Sequence, residues 1–353
     1  MLLDDVTWSV ANRFEDVHAA MPEELARRAA PETHACVVEL RTDPHPTVAG
    51  ATTQLARLRE MLDTTLRDGL GLRAAAAGTH PLATGAEVAI SGRERYRQIA
   101  ATMRALARRE PTMAMHVHVA VPDGDTAVRA LDGLRADLPL LLALSANSPY
   151  WRGADAGFAS TRTPIFGMFP RVGIPRRFGS YDEYVRAVDP LLRGEALPEP
   201  GFLWWDARLQ PRLGTVEVRI LDAQSRVTDV AALAALVHCL VSRRAQEDRP
   251  DHAGPELVEE NRFLAARDGM RAQLIEHRSG RRRAVRGTLT ELLAGCKSLG
   301  VALGCVDELA VAAVLADDPG AARQRRVGES AGLAAVPEWL AGEFTSAGVL
   351  VGA

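Results

Sequence analysis

The run Gly214-Thr215-Val216-Glu217-Val218-Arg219-Ile220-Leu221-Asp222 alternates apolar and polar positions with a period of two, which predicts a β-strand. Val216, Val218 and Ile220 face the core of such a strand, and Glu217 and Arg219 share the other face. Met115-His116-Val117-His118-Val119-Ala120-Val121 repeats the pattern with two imidazoles on its polar face. A third strand, Ala35-Cys36-Val37-Val38-Glu39-Leu40, carries an acid and follows Glu32 and His34. Helical spacing is clearest over residues 48–67, where Leu55, Leu58, Leu62 and Leu66 fall on one face. Helices are also expected at 22–29, 93–109, 126–134, 138–145, 228–244 and 255–276, and from Leu289 onward, with Thr228 or Asp229 as an N-cap. Residues 72–77 read as a strand that ends in the turn Gly78-Thr79-His80-Pro81. Residues 147–177 form a long, weakly periodic stretch rich in Gly, Pro and Arg, expected to cover a binding site.

Three strands lined by acids and imidazoles suggest a single site. The bland reading of Glu217 and Arg219 is an ion pair on a wet sheet face, worth little. That of His116 and His118 is a pair of half-buried strand histidines bonded to their neighbours. Carboxylates with a single imidazole favour Mg²⁺ or Mn²⁺ over a thiolate zinc site, because hard cations prefer hard ligands. An arginine beside such a cation holds phosphate or carboxylate through its planar fork. The chemistry implied is phosphoryl transfer from a metal-bound nucleotide. A Walker-type phosphate loop and a dinucleotide-binding glycine fingerprint are both absent from the sequence.

Four segments together resemble the YbdK-like carboxylate-amine ligases, the glutamate-cysteine ligase type 2 family. They are Ala77-Gly78-Thr79-His80-Pro81, His116-Val117-His118-Val119, Leu144-Ser145-Ala146-Asn147-Ser148-Pro149-Tyr150 and Gly214-Thr215-Val216-Glu217-Val218-Arg219. The resemblance implies one α+β catalytic domain spanning residues 1–353, with a glutamine synthetase-like fold. Its curved antiparallel sheet would form a half-funnel, with helices packed on the outer face. It also implies ATP and Mg²⁺, with Glu32, Glu39, His116 and Glu217 as metal ligands. Arg219 would face the transferring phosphoryl group and His118 would neighbour the phosphates. Arg162 and Arg208 are candidates to hold substrate carboxylate or phosphate.

The implied reaction activates a carboxylate as an acyl phosphate, which the amine of a second substrate then attacks; glutamate and cysteine are the family's pair. Family members begin with a strand carrying closely spaced glutamates, whereas this chain starts at Met1-Leu2-Leu3-Asp4-Asp5. The expectation is that the first acidic strand is missing and that the native polypeptide is longer. The alternative is a non-catalytic relative that binds nucleotide or a partner, and a nucleotide-independent metal hydrolase is a weaker third reading.

Composition narrows the partners. In 353 residues, Lys plus Arg (42) nearly balances Asp plus Glu (45), so no strong field recruits nucleic acid or an anionic membrane. Arg281-Arg282-Arg283 is read as a solvated hairpin tip, and five Trp and four Tyr make no stacking platform. Cys36, Cys239, Cys296 and Cys305 lack metal-finger spacing and are expected as reduced core residues of a cytoplasmic protein. The N-terminus has no secretory pattern, and the apolar stretches 138–144 and 230–241 fall short of the about 20 residues that span a bilayer. The sequence leaves the oligomeric state open, with a homodimer as the candidate, since open sheets with covered faces often associate symmetrically.

Overall fold

The structure is a computed structural model that describes residues 1–247 and 253–346. Residues 347–353 of the expected helical C-terminal third lie outside the described residues. Helices and short strands mix along the chain, and the strands pair as one three-stranded and five two-stranded sheets among the described residues. These pairings do not draw one continuous curved sheet. Five of the six sheets are antiparallel, and Val172–Gly173 runs parallel to Trp204–Trp205.

The three-stranded sheet is the centre of the molecule. Thr215–Val218 lies between Ala207–Gln210 and Val117–Ala120, in a register that sets Arg208, Glu217 and His118 side by side. Its apolar face meets a helical layer through Val216, Val218 and Ile220, all at most 1% exposed. The layer is built around Val227–Ala245, which packs against Gly124–Leu134, Val285–Ala302 and Val306–Asp317. Leu138–Ser145 is buried along its whole length, as its unbroken apolar run requires. Burial of each leucine there contributes about 1.5–3 kcal/mol.

Val48–Arg67 forms one helix over the residues that the leucine spacing predicts, and its N-cap Thr47 accepts from Gly50 N at 3.2 Å. Elsewhere tertiary pairing shifts the boundaries. The helix expected over 22–29 stops at Ala26, because Ala29–Pro31 is drawn into a strand against Val38–Leu40. The helix expected over 93–109 is Glu94–Met103 followed by a 3-10 turn, with Arg104 in the left-handed region at φ +53°. The helix from Pro255 ends at Asp268, where Gly269 takes φ +55°, and the chain continues as the strand Gln273–Ile275. Neither Thr228 nor Asp229 caps its helix. Arg226 occupies the cap position, and Asp229 accepts from Arg323 instead.

The long stretch 147–177 is knitted into the fold rather than laid over it. Ala159 N and Ser160 N both donate to Ala266 O, and Phe166 and Phe169 pack on Trp204. Gln273–Ile275 and Arg282–Ala284 make the expected hairpin, with exposed residues at its tip. All four cysteines are buried and free. No helix among the described residues is long and apolar enough to cross a membrane.

Candidate active site

Alternation along Thr215–Val218 sends Glu217 away from the core, yet that face is also closed and Glu217 is only 1% exposed. A buried carboxylate must be paired or fully hydrogen-bonded, and the neighbouring strand supplies the partners. Arg208 donates from Nε to Glu217 Oε2 at 2.6 Å and from Nη2 to Oε1 at 3.3 Å. Gln210 Nε2 donates to Oε2 at 2.7 Å, and Arg219 Nη1 donates to Oε1. Two arginines and an amide thus saturate one carboxylate. This is a buried network, not the wet ion pair of the bland reading.

The histidine strand closes the other side. His116 Nδ1 lies 3.6 Å and His118 Nε2 3.8 Å from Glu217 Oε1. Arg219 Nη1 is 3.3 Å from His116 Nδ1, and His118 Nδ1 is 3.0 Å from Thr215 Oγ1. Burial first, then the charge of Arg219, holds His116 well below its ordinary value, so it is neutral near pH 7. Burial also lowers His118. For Glu217, burial alone would raise the carboxyl, but the charges of Arg219 and Arg208 overcome it and hold the group well below the usual range.

Glu32 and Glu39 lie on the strand pair Ala29–Pro31 and Val38–Leu40 and its connection, within electrostatic reach of Arg219. Burial raises Glu32. Burial and then the charge of Glu32 push Glu39 up to about 7. The helix Glu94–Met103 flanks this pair, and Tyr96 Oη donates to Pro31 O while Arg95 pairs with Glu199 at 2.7 Å.

Arg162 is brought to the same region but is turned to the backbone. Its Nη1 donates to Ile220 O at 3.1 Å and its Nη2 to Arg219 O at 3.2 Å. Arg208 likewise spends Nη1 on Gly201 O and Leu203 O, at 2.5 and 3.0 Å. Arg219 and Arg162 each keep a spare donor, since the Nε of each is buried without a hydrogen bond, but only Arg219 also bonds Glu217. His80 lies elsewhere, where its Nδ1 accepts from Leu82 N and Ala83 N.

Among the described residues, no three His, Cys, Asp or Glu side chains form a ready metal-binding group. The chemistry of the donor set nevertheless fits a hard divalent cation. Two crowded carboxylates, one of them raised to about 7, and a neutral imidazole are the groups such a cation would stabilise. Cavities of about 580 and 540 Å³ open beside the helix Glu94–Met103 rather than over Glu217.

Gln210, Arg95 and Tyr96 were not among the residues expected at the site. Gln210 had a signal, because it lies two residues after Arg208 and therefore on the same strand face. Arg95 and Tyr96 reach the region only through helix packing, which no local pattern reports.

The fold and this carboxylate–arginine centre define a class. The chain is similar to a glutamate–cysteine ligase of Francisella tularensis solved in complex with AMP, with a TM-score of 0.69 at 12% identity, over 98% of this chain and 87% of that one. It is also similar to a bifunctional glutathione synthetase of Pasteurella multocida, with a TM-score of 0.67 at 15% identity, over 92% of this chain and 48% of that one. At such identities the likeness is one of fold. Sequence relatives are nearer. A Rubrobacter xylanophilus protein provisionally named glutamate–cysteine ligase 2-3 is 40% identical over 92% of this chain and 89% of its own length. A Sorangium cellulosum protein provisionally named glutamate–cysteine ligase 2 is 39% identical over 77% of this chain and 73% of its own length. The chain belongs to glutamate–cysteine ligase family 2, whose family model matches residues 5–336.

Proposed function

We propose that this chain is an ATP-dependent carboxylate–amine ligase that joins glutamate, or a similar amino acid, to an amine such as cysteine. The observation that carries the reading is the Glu217 centre, where Arg219 combines one bond to a buried carboxylate with a spare Nε–H. Family membership supports the same reading. A carboxylate is a poor electrophile, so ATP first converts it to an acyl phosphate, and the amine then displaces phosphate. Arg219 would leave Glu217 Oε1 for the transferring phosphoryl oxygens, where a preorganised guanidinium stabilises developing charge. Glu217 would hold Arg208 and Arg219 on the reacting face until then. His118, the more exposed imidazole, is the nearer to incoming phosphates.

Glu32, Glu39, His116 and Glu217 would hold Mg²⁺ or Mn²⁺, which supplies charge neutralisation on the phosphate oxygens. Arg208 would position Glu217, and Arg162 would act on the same face from behind. The strand pairs around the central sheet would together form the curved half-funnel of the family. The chain would act as one catalytic unit in the cytoplasm, as a homodimer, consistent with four free buried cysteines.

Hydroxylamine trapping tests the acyl phosphate. Glutamate hydroxamate that forms only with both ATP and glutamate is the expected result, and ATP turnover without hydroxamate would contradict it. A second reading, nucleotide binding without turnover, draws on the saturation of Glu217 by its own arginines and amide. It predicts bound ATP and no hydroxamate.

A further inference from the structure

The strand that carries Glu217 contains one residue too many, and the extra residue sits at Arg219. Ala207 pairs with Val218 in regular register, but the next residue, Asp206, accepts from both Arg219 N at 2.8 Å and Ile220 N at 3.0 Å. The opposite edge of the strand records the same insertion. Val218 is opposite Val117, so Asp222 should be opposite Met113, yet its bridge partner is Ala114. Two residues facing one, with a one-residue offset on the far side, define a β-bulge at Arg219 and Ile220.

A bulge bends the strand and re-aims its side chains, and it takes backbone groups out of the ladder that must be satisfied elsewhere. Here a side chain satisfies them. The guanidinium of Arg162, on the short helix Arg162–Phe166, is 6% exposed and sets Nη1 on Ile220 O at 3.1 Å and Nη2 on Arg219 O at 3.2 Å. Its planar fork thus spans the two bulged carbonyls, a match that a point charge such as Lys cannot reproduce. Phe166 stacks on the same guanidinium at 5.5 Å.

The fork is itself held. Asp222 is fully buried and lies 3.7 Å from Arg162 Nη1, and its carboxylate accepts from Asn147 N at 2.8 Å, Ser148 Oγ at 2.7 Å and Ser160 Oγ at 2.9 Å. Ser148 Oγ in turn accepts from Arg162 N at 3.2 Å. Gly78 completes the cradle, because a Cβ there would lie 2.7 Å from the Asp222 carboxyl and 2.8 Å from Ser148 Oγ. On the opposite side of the bulge, Asp206 is anchored by Arg262 Nε at 2.5 Å.

We infer that Arg162 is a positioning residue that clamps the Arg219–Ile220 bulge, and that Asp222 with Ser148 and Ser160 holds the clamp. This rests on the proposed ligase reading in assigning Arg219 to the transferring phosphoryl group. It gives the segment Leu144–Tyr150 a definite job, since Asn147 and Ser148 brace the residue that aims Arg219. It also turns the fork of Arg162 away from direct substrate contact, because both terminal nitrogens are committed to backbone and only the buried Nε is left unbonded.

The test pairs kinetics with amide exchange in the full chain. Arg162→Lys and the gentler Asp222→Asn, which keeps the volume, should lower kcat for ADP release by about 10- to 100-fold while KM for ATP and glutamate changes less than about threefold. In an Arg219→Gln background, Arg162→Lys should cost less than about a further twofold, because both changes remove one function. Independently of turnover, hydrogen exchange at the Arg219 and Ile220 amides should quicken by about tenfold in Arg162→Lys, with Val216 and Val218 unchanged. A raised KM at constant kcat, or additive losses in the double variant, would make Arg162 a substrate ligand and overturn the inference. Unchanged exchange at both amides would overturn it as well. If the wild-type chain releases no ADP, the ligase reading fails alone, and the exchange result decides the clamp.

Discussion

Glu217 is the partner of two guanidinium groups that are themselves only 9% and 13% exposed, so its charge matters to the fold as well as to the site. Glu217→Gln keeps an acceptor but leaves Arg208 and Arg219 without their anion, and breaking such a buried pair costs about 3–5 kcal/mol. Urea unfolding should register that loss, and an unchanged midpoint would contradict the network. Arg219 is the more exposed of the pair and is the better probe of chemistry. Arg219→Gln should fold while losing about 10²–10³-fold in ADP release. Glu217, Arg219, His116 and His118 could all be read from alternation, because a period of two announces which residues share a face. That this face is buried could not be read. Closing it depends on Arg208 and Gln210, which the next strand sets against Glu217.

Elements with strong internal patterns declared themselves. Val48–Arg67 has its leucines three or four apart and a Thr cap, and Leu138–Ser145 is almost continuously apolar. Elements made by pairing did not, as with Ala29–Pro31, whose Ala-Ala-Pro sequence has little strand character. The bulge at Arg219 was equally silent, since Glu217 and Arg219 continue an unbroken alternation and no glycine marks the extra residue. Close approach between elements gives a sharper test. A Cβ at Gly320 would overlap Asn147 Oδ1, and Asn147 is fully buried and fixed by Asp222, Ala223, Ser225 and Gln324. Gly320→Ala should therefore cost about 1–3 kcal/mol in thermal unfolding. Gly342→Ala, also helical but with nothing within 4 Å, should be neutral or stabilising by up to about 1 kcal/mol. Equal effects at the two positions would contradict the packing described.

For the whole molecule, buried histidines weaken the fold in acid, opposed by Glu39, whose carboxyl is pushed by burial up to about 7 so that its protonation favours the folded chain. His34 and His80 are 8% and 4% exposed, and burial lowers both from their ordinary 6.5. His80 uses Nδ1 to accept from two backbone amides, which a protonated ring could not do. Their contribution is complete above pH 6.5 and is lost as pH falls through that value toward the folded-state pKa, since the unfolded chain takes up protons first. Each adds a slope of up to about 1.4 kcal/mol per pH unit. Unfolding at pH 7.5, 6.5 and 5.5 should show this decline, with a shallower slope in His80→Gln; parallel profiles would remove His80 from the account. At this scale the four sequence segments of the resemblance were enough to name the family, because they are spread over a chain that the family matches from residue 5 to 336.

The central claim is that the Glu217–Arg219 centre serves ATP-driven amide formation. ADP release from Mg²⁺ and ATP, measured with and without glutamate plus cysteine, tests it most directly. The account predicts release that requires both amino acids and is lost in Arg219→Gln. Release indifferent to the amino acids, or none from a folded chain that binds ATP, would contradict it.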